Sequence, residues 1–69
     1  MNLTVNGEYR TVMDAQTTVS DLVGELTGGG AARGVAVAVN GDVVPRSAWD
    51  VTALRDGDAV EVLTAVQGG

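Results

Sequence analysis

Cysteine, histidine, lysine, phenylalanine and isoleucine are all absent from the 69 residues. Without cysteine or histidine the chain has no disulfide, no thiolate nucleophile, no zinc site of the usual type and no imidazole acid–base group. The aromatics are reduced to Tyr9 and Trp49, so the core has to be aliphatic, drawn from 13 Val and 5 Leu. Thirteen valines favour strands, because a β-branched side chain is stiff and packs well on a pleated surface. No apolar run approaches the length of a membrane span. The opening "MNLTVNGEYR" has no basic region followed by an apolar run, so no signal peptide is expected. A small cysteine-free domain suits a reducing cytosol, and a cytoplasmic location is the expectation.

Basic residues are scarce as well: four arginines stand against nine Asp and Glu, for a net charge of −5. Nucleic acids and anionic membranes require clusters of Lys and Arg, so neither is an expected partner. The acidic balance fits solubility or a basic protein partner. The missing lysine has two explanations. If a carboxylate of this chain is activated, a lysine amine would be a competing nucleophile. Codon bias toward arginine, in keeping with the abundance of Val, Ala and Gly, explains it as well. At this length a chain buries only about 60% of the surface that its unfolded form exposes, so one small domain with a small core is expected.

What is present reads as alternating strands and turns around one helix. In "LTVNGEYRTV", Leu3 and Val5 alternate with polar residues, Asn6-Gly7 tolerates the positive φ of a type I′ turn, and Glu8 to Met13 returns as a second strand. In "TTVSDLVGEL", Val19, Leu22, Val23 and Leu26 fall at i, i+3, i+4 and i+7, the spacing of one helical face. Thr18 is the expected N-cap, with Asp21 three residues on. The run Gly28-Gly29-Gly30 ends that helix. It is no phosphate loop, since it follows a helix instead of opening one and lacks the lysine.

Val35, Val37 and Val39 share one face of a third strand, with Ala36 and Ala38 on the other. Such small residues are expected where a strand is packed closely or covered on both sides. Asn40-Gly41 marks another tight turn and Val43-Val44 a short return strand stopped by Pro45. "RSAWD" predicts a helical turn capped by Ser47, with Trp49 as a lid on the core; the alternative is an exposed Trp49 serving as an interaction anchor. Asp56-Gly57 turns the chain into a last strand, Asp58 to Val66, with Val60, Val62 and Val66 on one side. Asp56 and Asp58 flank a turn glycine, a structural position, and Asp14 and Asp21 read as a turn or cap and a first-turn charge.

A hairpin followed by a helix and further strands excludes a doubly wound α/β sheet, which needs strict alternation. The order fits an α+β roll of the ubiquitin-like β-grasp type, a mixed sheet of four to five strands on one main helix. Residues 1–66 form the domain and 67–69 a flexible tail that runs out of the last strand.

The segments "VNGE", "VAVAVNGDVVPRSAW" and "LRDGDAVEVLTAVQGG" resemble, over nearly the whole chain, the sulfur-carrier proteins of the thiamin pathway. That resemblance implies a carrier and not an enzyme. An adenylyltransferase of the ubiquitin-activating type would use ATP to adenylate the Gly69 carboxylate. A sulfur donor protein or sulfide would convert the adenylate to a thiocarboxylate, and the carrier would deliver its sulfur to thiazole synthase. Gln67, Gly68 and Gly69 would thread the partner's active site, with Gly69 modified, while the domain itself holds no cofactor or metal and is a monomer when free. Glycine suits the tail because a residue without Cβ enters narrow channels in conformations closed to others. Two other readings stay open on the residues: a carrier for molybdopterin or cysteine synthesis or a ubiquitin-like modifier, and a β-grasp binding module that never reacts at Gly69.

Overall fold

Seven elements follow one another in the computed structural model, which describes residues 1–13, 17–28 and 34–64. They are β1 (Asn2–Val5), β2 (Glu8–Thr11), α1 (Val19–Leu26), β3 (Val35–Val39), β4 (Asp42–Val44), the 3₁₀ helix η1 (Arg46–Val51) and β5 (Ala59–Thr64). The five strands form one mixed sheet in the order β2-β1-β5-β3-β4. β5 lies at its centre, parallel to β1 and antiparallel to β3. This is the β-grasp roll, with α1 against one face.

Both tight turns form as their sequences predict. Asn6 and Asn40 have φ of 51°, and the glycines that follow have φ of 82° and 86°. These are the two consecutive left-handed residues of a type I′ turn, whose twist matches that of the flanking strands. β2 ends at Thr11, two residues short of the expected Met13. Val12 still exchanges two 2.8 Å hydrogen bonds with Met1, which close the hairpin at its open end.

Helix α1 starts where Thr18 caps it: the Thr18 hydroxyl accepts from the Asp21 amide at 3.2 Å and the Asp21 carboxylate accepts from the Thr18 amide at 3.1 Å. Such a reciprocal pair satisfies two of the donors that a helix start leaves free. Val19, Leu22 and Val23 are buried, whereas Leu26, expected on the same face, is 39% exposed, because the helix ends there. Gly28 takes the left-handed conformation after the last turn. Gly29 and Gly30 of the glycine run lie outside the described residues, as does Asp14.

Alternation along the strands sets the core. Leu3, Val5, Val37, Val60 and Val62 point inward and join Val19, Leu22, Val23, Trp49 and Leu54 in one buried cluster. Trp49 closes it as a lid: it is buried, and its Nε1 donates to the Val44 carbonyl at 3.0 Å. The exposed-anchor reading is thereby excluded. Ser47 does not cap η1. Pro45 takes the cap position with its φ at −63°, and its carbonyl accepts the first turn's bond from Ala48 at 2.8 Å.

Candidate functional site at the end of the central strand

β5 is held from both sides, and each Asn-Gly turn contributes a side chain to it. Asn40 stands one step past the end of β3. Its amide N–H donates to the Ala59 carbonyl at 2.7 Å, and its Oδ1 accepts from the Ala59 amide at 3.0 Å. Asn6 stands one step past the end of β1. Its N–H donates to the Val60 carbonyl at 2.9 Å, and its side chain then reaches one rung further. Asn6 Oδ1 accepts from the Val62 amide at 2.8 Å, and Nδ2 donates to the Val62 carbonyl at 3.1 Å. A carboxamide carries the same donor and acceptor as a peptide group. Asn6 therefore adds a rung to the parallel ladder after β1 has turned away. Sequence reading finds both asparagines as turn residues and misses this second task, because the partner residues lie far downstream, Val62 by 56 positions from Asn6 and Ala59 by 19 from Asn40.

The acidic turn before β5 is structural, as expected. Asp56 Oδ1 accepts from the Asn2 amide at 2.6 Å. Asp58 Oδ2 accepts from the Arg55 amide at 2.8 Å, and Oδ1 from Asn40 Nδ2 at 2.9 Å. Asp58 thus belongs to the turn, and β5 begins at Ala59, one residue later than the alternation predicts. Gly57, with φ of 88°, supplies the positive-φ position of that turn. No group of three or more carboxylates able to hold a metal occurs among the described residues.

The outer face of the sheet corrects the expectation that β3 is covered on both sides. Ala36 is exposed and Ala38 half-buried, and no described element packs over them. Ala36, Ala38, Val43, Glu61 and Leu63 line a shallow, largely apolar depression across β4, β3 and β5. Val43 and Leu63 are 76% and 64% exposed. Glu61 sits among them opposite Ala38, with no cationic partner among the described residues. Small residues on a strand have two explanations, a covering layer or a smooth open face, and the residues alone do not separate them.

Ala65, Val66 and the predicted site residues Gln67, Gly68 and Gly69 lie outside the described residues. Thr64, opposite Val35, is the last described residue of β5. No helix among the described residues is long and apolar enough to cross a membrane.

Comparison with known proteins agrees with this architecture. The model of the ThiS family matches residues 3–69. The crystal structure of a thiamine biosynthesis protein (ThiS) from Geobacter metallireducens is 44% identical and superposes with a TM-score of 0.82, each chain covered in full. An NMR structure of a thiamine biosynthesis protein from the same organism is 46% identical with a TM-score of 0.81, over all of this chain and 88% of that one. A thiazole synthase of Paramagnetospirillum magneticum is 42% identical over all 69 residues, which span 20% of its length. With a family match through Gly69 and two full-length structural relatives, the chain belongs to the ThiS family, the small carrier proteins of thiamine biosynthesis.

Proposed function

We propose that the Gly69 carboxylate is the working group of this carrier, first adenylated and then converted to a thiocarboxylate that supplies sulfur to thiazole synthase. A carboxylate is a poor electrophile because it would have to expel oxide or hydroxide. Attack of one carboxylate oxygen on the α-phosphate of ATP releases pyrophosphate and leaves an acyl adenylate. Hydrosulfide then adds to the carbonyl, AMP departs with the bridging oxygen, and the thiol proton passes to solvent, leaving C(=O)S⁻. The activating partner is an adenylyltransferase of the ubiquitin-activating type, which brings the ATP. The sulfur source is sulfide or a donor protein.

The observation that carries this reading is the position of β5. A central strand gripped by β1 and β3 is a fixed origin for the residues that follow it. From Thr64 to Gly69 the chain spans at most about 18 Å, at 3.3–3.6 Å per residue. Any enzyme that reacts at Gly69 must therefore lie close against the domain. The open face beside β5 offers Leu63, Val43, Ala36 and Ala38 as apolar contact and Glu61 as a charge for a partner's guanidinium or ammonium. The thiazole synthase relative supports that enzyme as the acceptor's class, since a protein of that name holds a stretch so similar to this chain.

Intact mass tests the chemistry. With ATP, a competent activating enzyme and sulfide, the chain should gain the mass of one oxygen replaced by sulfur, and a variant without Gly69 should gain nothing. A binding module that never reacts would keep its activity without Gly69, and no mass gain in the full chain overturns the proposal. A deletion strain that thiazole fails to rescue would exclude the thiazole branch and return the molybdopterin or cysteine readings.

A further inference from the structure

Asn6 is bound to β5 more firmly than its place in a turn requires, and at the end of β5 that faces the tail. In a strand the backbone groups of alternate residues point to the same side. Val60 and Val62 direct theirs toward β1, and Ala59 directs its own toward β3. β1 supplies backbone partners only as far as Val60, its last register pair being Val5 with Val60. At Val62 the Asn6 carboxamide replaces the missing backbone, taking both the N–H and the C=O. Among the described residues no hydrogen bond from the β1 side reaches β5 beyond this point.

We infer that Asn6 is a positioning residue for the reaction at Gly69, its carboxamide fixing where β5 stops being held on the β1 side and so how firmly the strand that leads to Gly69 is anchored. This rests on the reading of Gly69 as the activated group. Loss of the carboxamide frees the Val62 amide and carbonyl, and β5 is then held at that level only by β3. The tail's origin loosens while the open face that docks is unchanged. Reaction at a threaded carboxylate depends on alignment, and a displacement of about 1 Å caused by a remote change costs up to about 100-fold in rate.

Asn40 is the natural control. It occupies the same type of turn with the same φ and also grips β5 by its side chain, at Ala59, the end away from the tail. Asn6→Gly and Asn40→Gly both keep a backbone that accepts positive φ and both remove the amide, so their thermal midpoints should fall alike. Hydrogen exchange should speed up about tenfold or more at the Val62 amide in Asn6→Gly and at the Ala59 amide in Asn40→Gly. Charging with ATP, the activating enzyme and sulfide should separate them. Asn6→Gly should lose about tenfold in kcat with KM for the carrier within about twofold, and Asn40→Gly should stay within about twofold of wild type in both.

Equal losses of kcat in the two variants, an unchanged kcat in Asn6→Gly, or a change confined to KM would each overturn the inference and leave the carrier chemistry standing. If the wild type itself gains no sulfur, the carrier reading falls and takes this inference with it. If the Val62 amide exchanges no faster in Asn6→Gly, the clamp does not exist in solution and the inference fails whatever the kinetics.

Discussion

The two faces of the sheet are written in the same strands, one residue apart, and carry opposite kinds of side chain. Along β5, Val60 and Val62 are buried under α1 and Trp49, while Ala59, Glu61 and Leu63 between them are exposed. Along β3, Val37 is buried and Ala36 is exposed. A period of two makes such a division available to any strand. Here the outer face keeps large apolar groups, Leu63 and Val43, where solubility alone would favour polar ones. The inner face accounts for the fold, and the outer face has side chains the fold does not use.

Truncation on the inner face gives the largest effect. Leu22 is fully buried at the centre of α1. Leu22→Ala should lose about 2–5 kcal/mol, the range for a core leucine that leaves a cavity. A domain of this size has only about 3–10 kcal/mol to lose, at 0.05–0.15 kcal/mol per residue. Urea unfolding should therefore show a variant that is barely folded at 25 °C. A loss below about 1 kcal/mol would mean that the site collapses freely and that the inner face is a looser core than its burial implies.

The outer face should behave in the opposite way. Leu63→Thr combined with Val43→Thr keeps strand-forming side chains and removes apolar surface. Exposed substitutions of this kind usually stay within about 0.5 kcal/mol each. Charging by the activating enzyme should nonetheless show KM for the carrier raised about tenfold, equal to about 1.4 kcal/mol of docking energy, with kcat little changed. An unchanged KM would remove the outer face as the docking surface and leave its leucine and valine without a role. The kinetic signature is the reverse of that expected for Asn6→Gly, so docking and tail alignment can be read separately.

Much of the inner face is legible in the sequence because it depends on local period. The helix cap at Thr18, both Asn-Gly turns and the parity of Val60 and Val62 need no knowledge of distant residues. Three features need it. The side chain of Asn6 reaches Val62 only because β1 and β5 are parallel neighbours, a fact of topology that no local pattern encodes. Leu26 obeys the helical spacing yet stays partly exposed at the end of the helix, since spacing does not tell how far a neighbouring layer extends. Ala36 and Ala38 look like residues of a strand covered on both sides, and whether such a strand is covered depends on what packs there. The predicted site residues Gln67, Gly68 and Gly69 rest on the terminal "VQGG" and the resemblance it supports, and they lie outside the described residues. That the surface around the last strand is exposed is an expectation from the sequence, but which residues make it up is not legible there, because exposed valine and leucine follow the same pattern as buried ones.

The smallest effect is expected at the rim, where the two faces meet. Arg10 on β2 and Glu25 on α1 form an ion pair at 2.7 Å, with their side chains 35% and 59% exposed. Its geometry is good, yet exposed pairs are worth little, since water screens them and two long side chains lose freedom. Glu25 also stands in the last turn of α1, where the helix dipole disfavours a negative charge, and that opposes part of the gain. Glu25→Gln keeps the shape and removes the charge. Its stability should fall by less than about 0.5 kcal/mol in dilute buffer, and the difference should vanish near 1 M salt, where the screening length is about 3 Å. A loss above about 1.5 kcal/mol that persists in salt would place the rim with the buried face in energetic terms. The division between the face that folds and the face proposed to dock would then have to be drawn further out, at the exposed strands themselves.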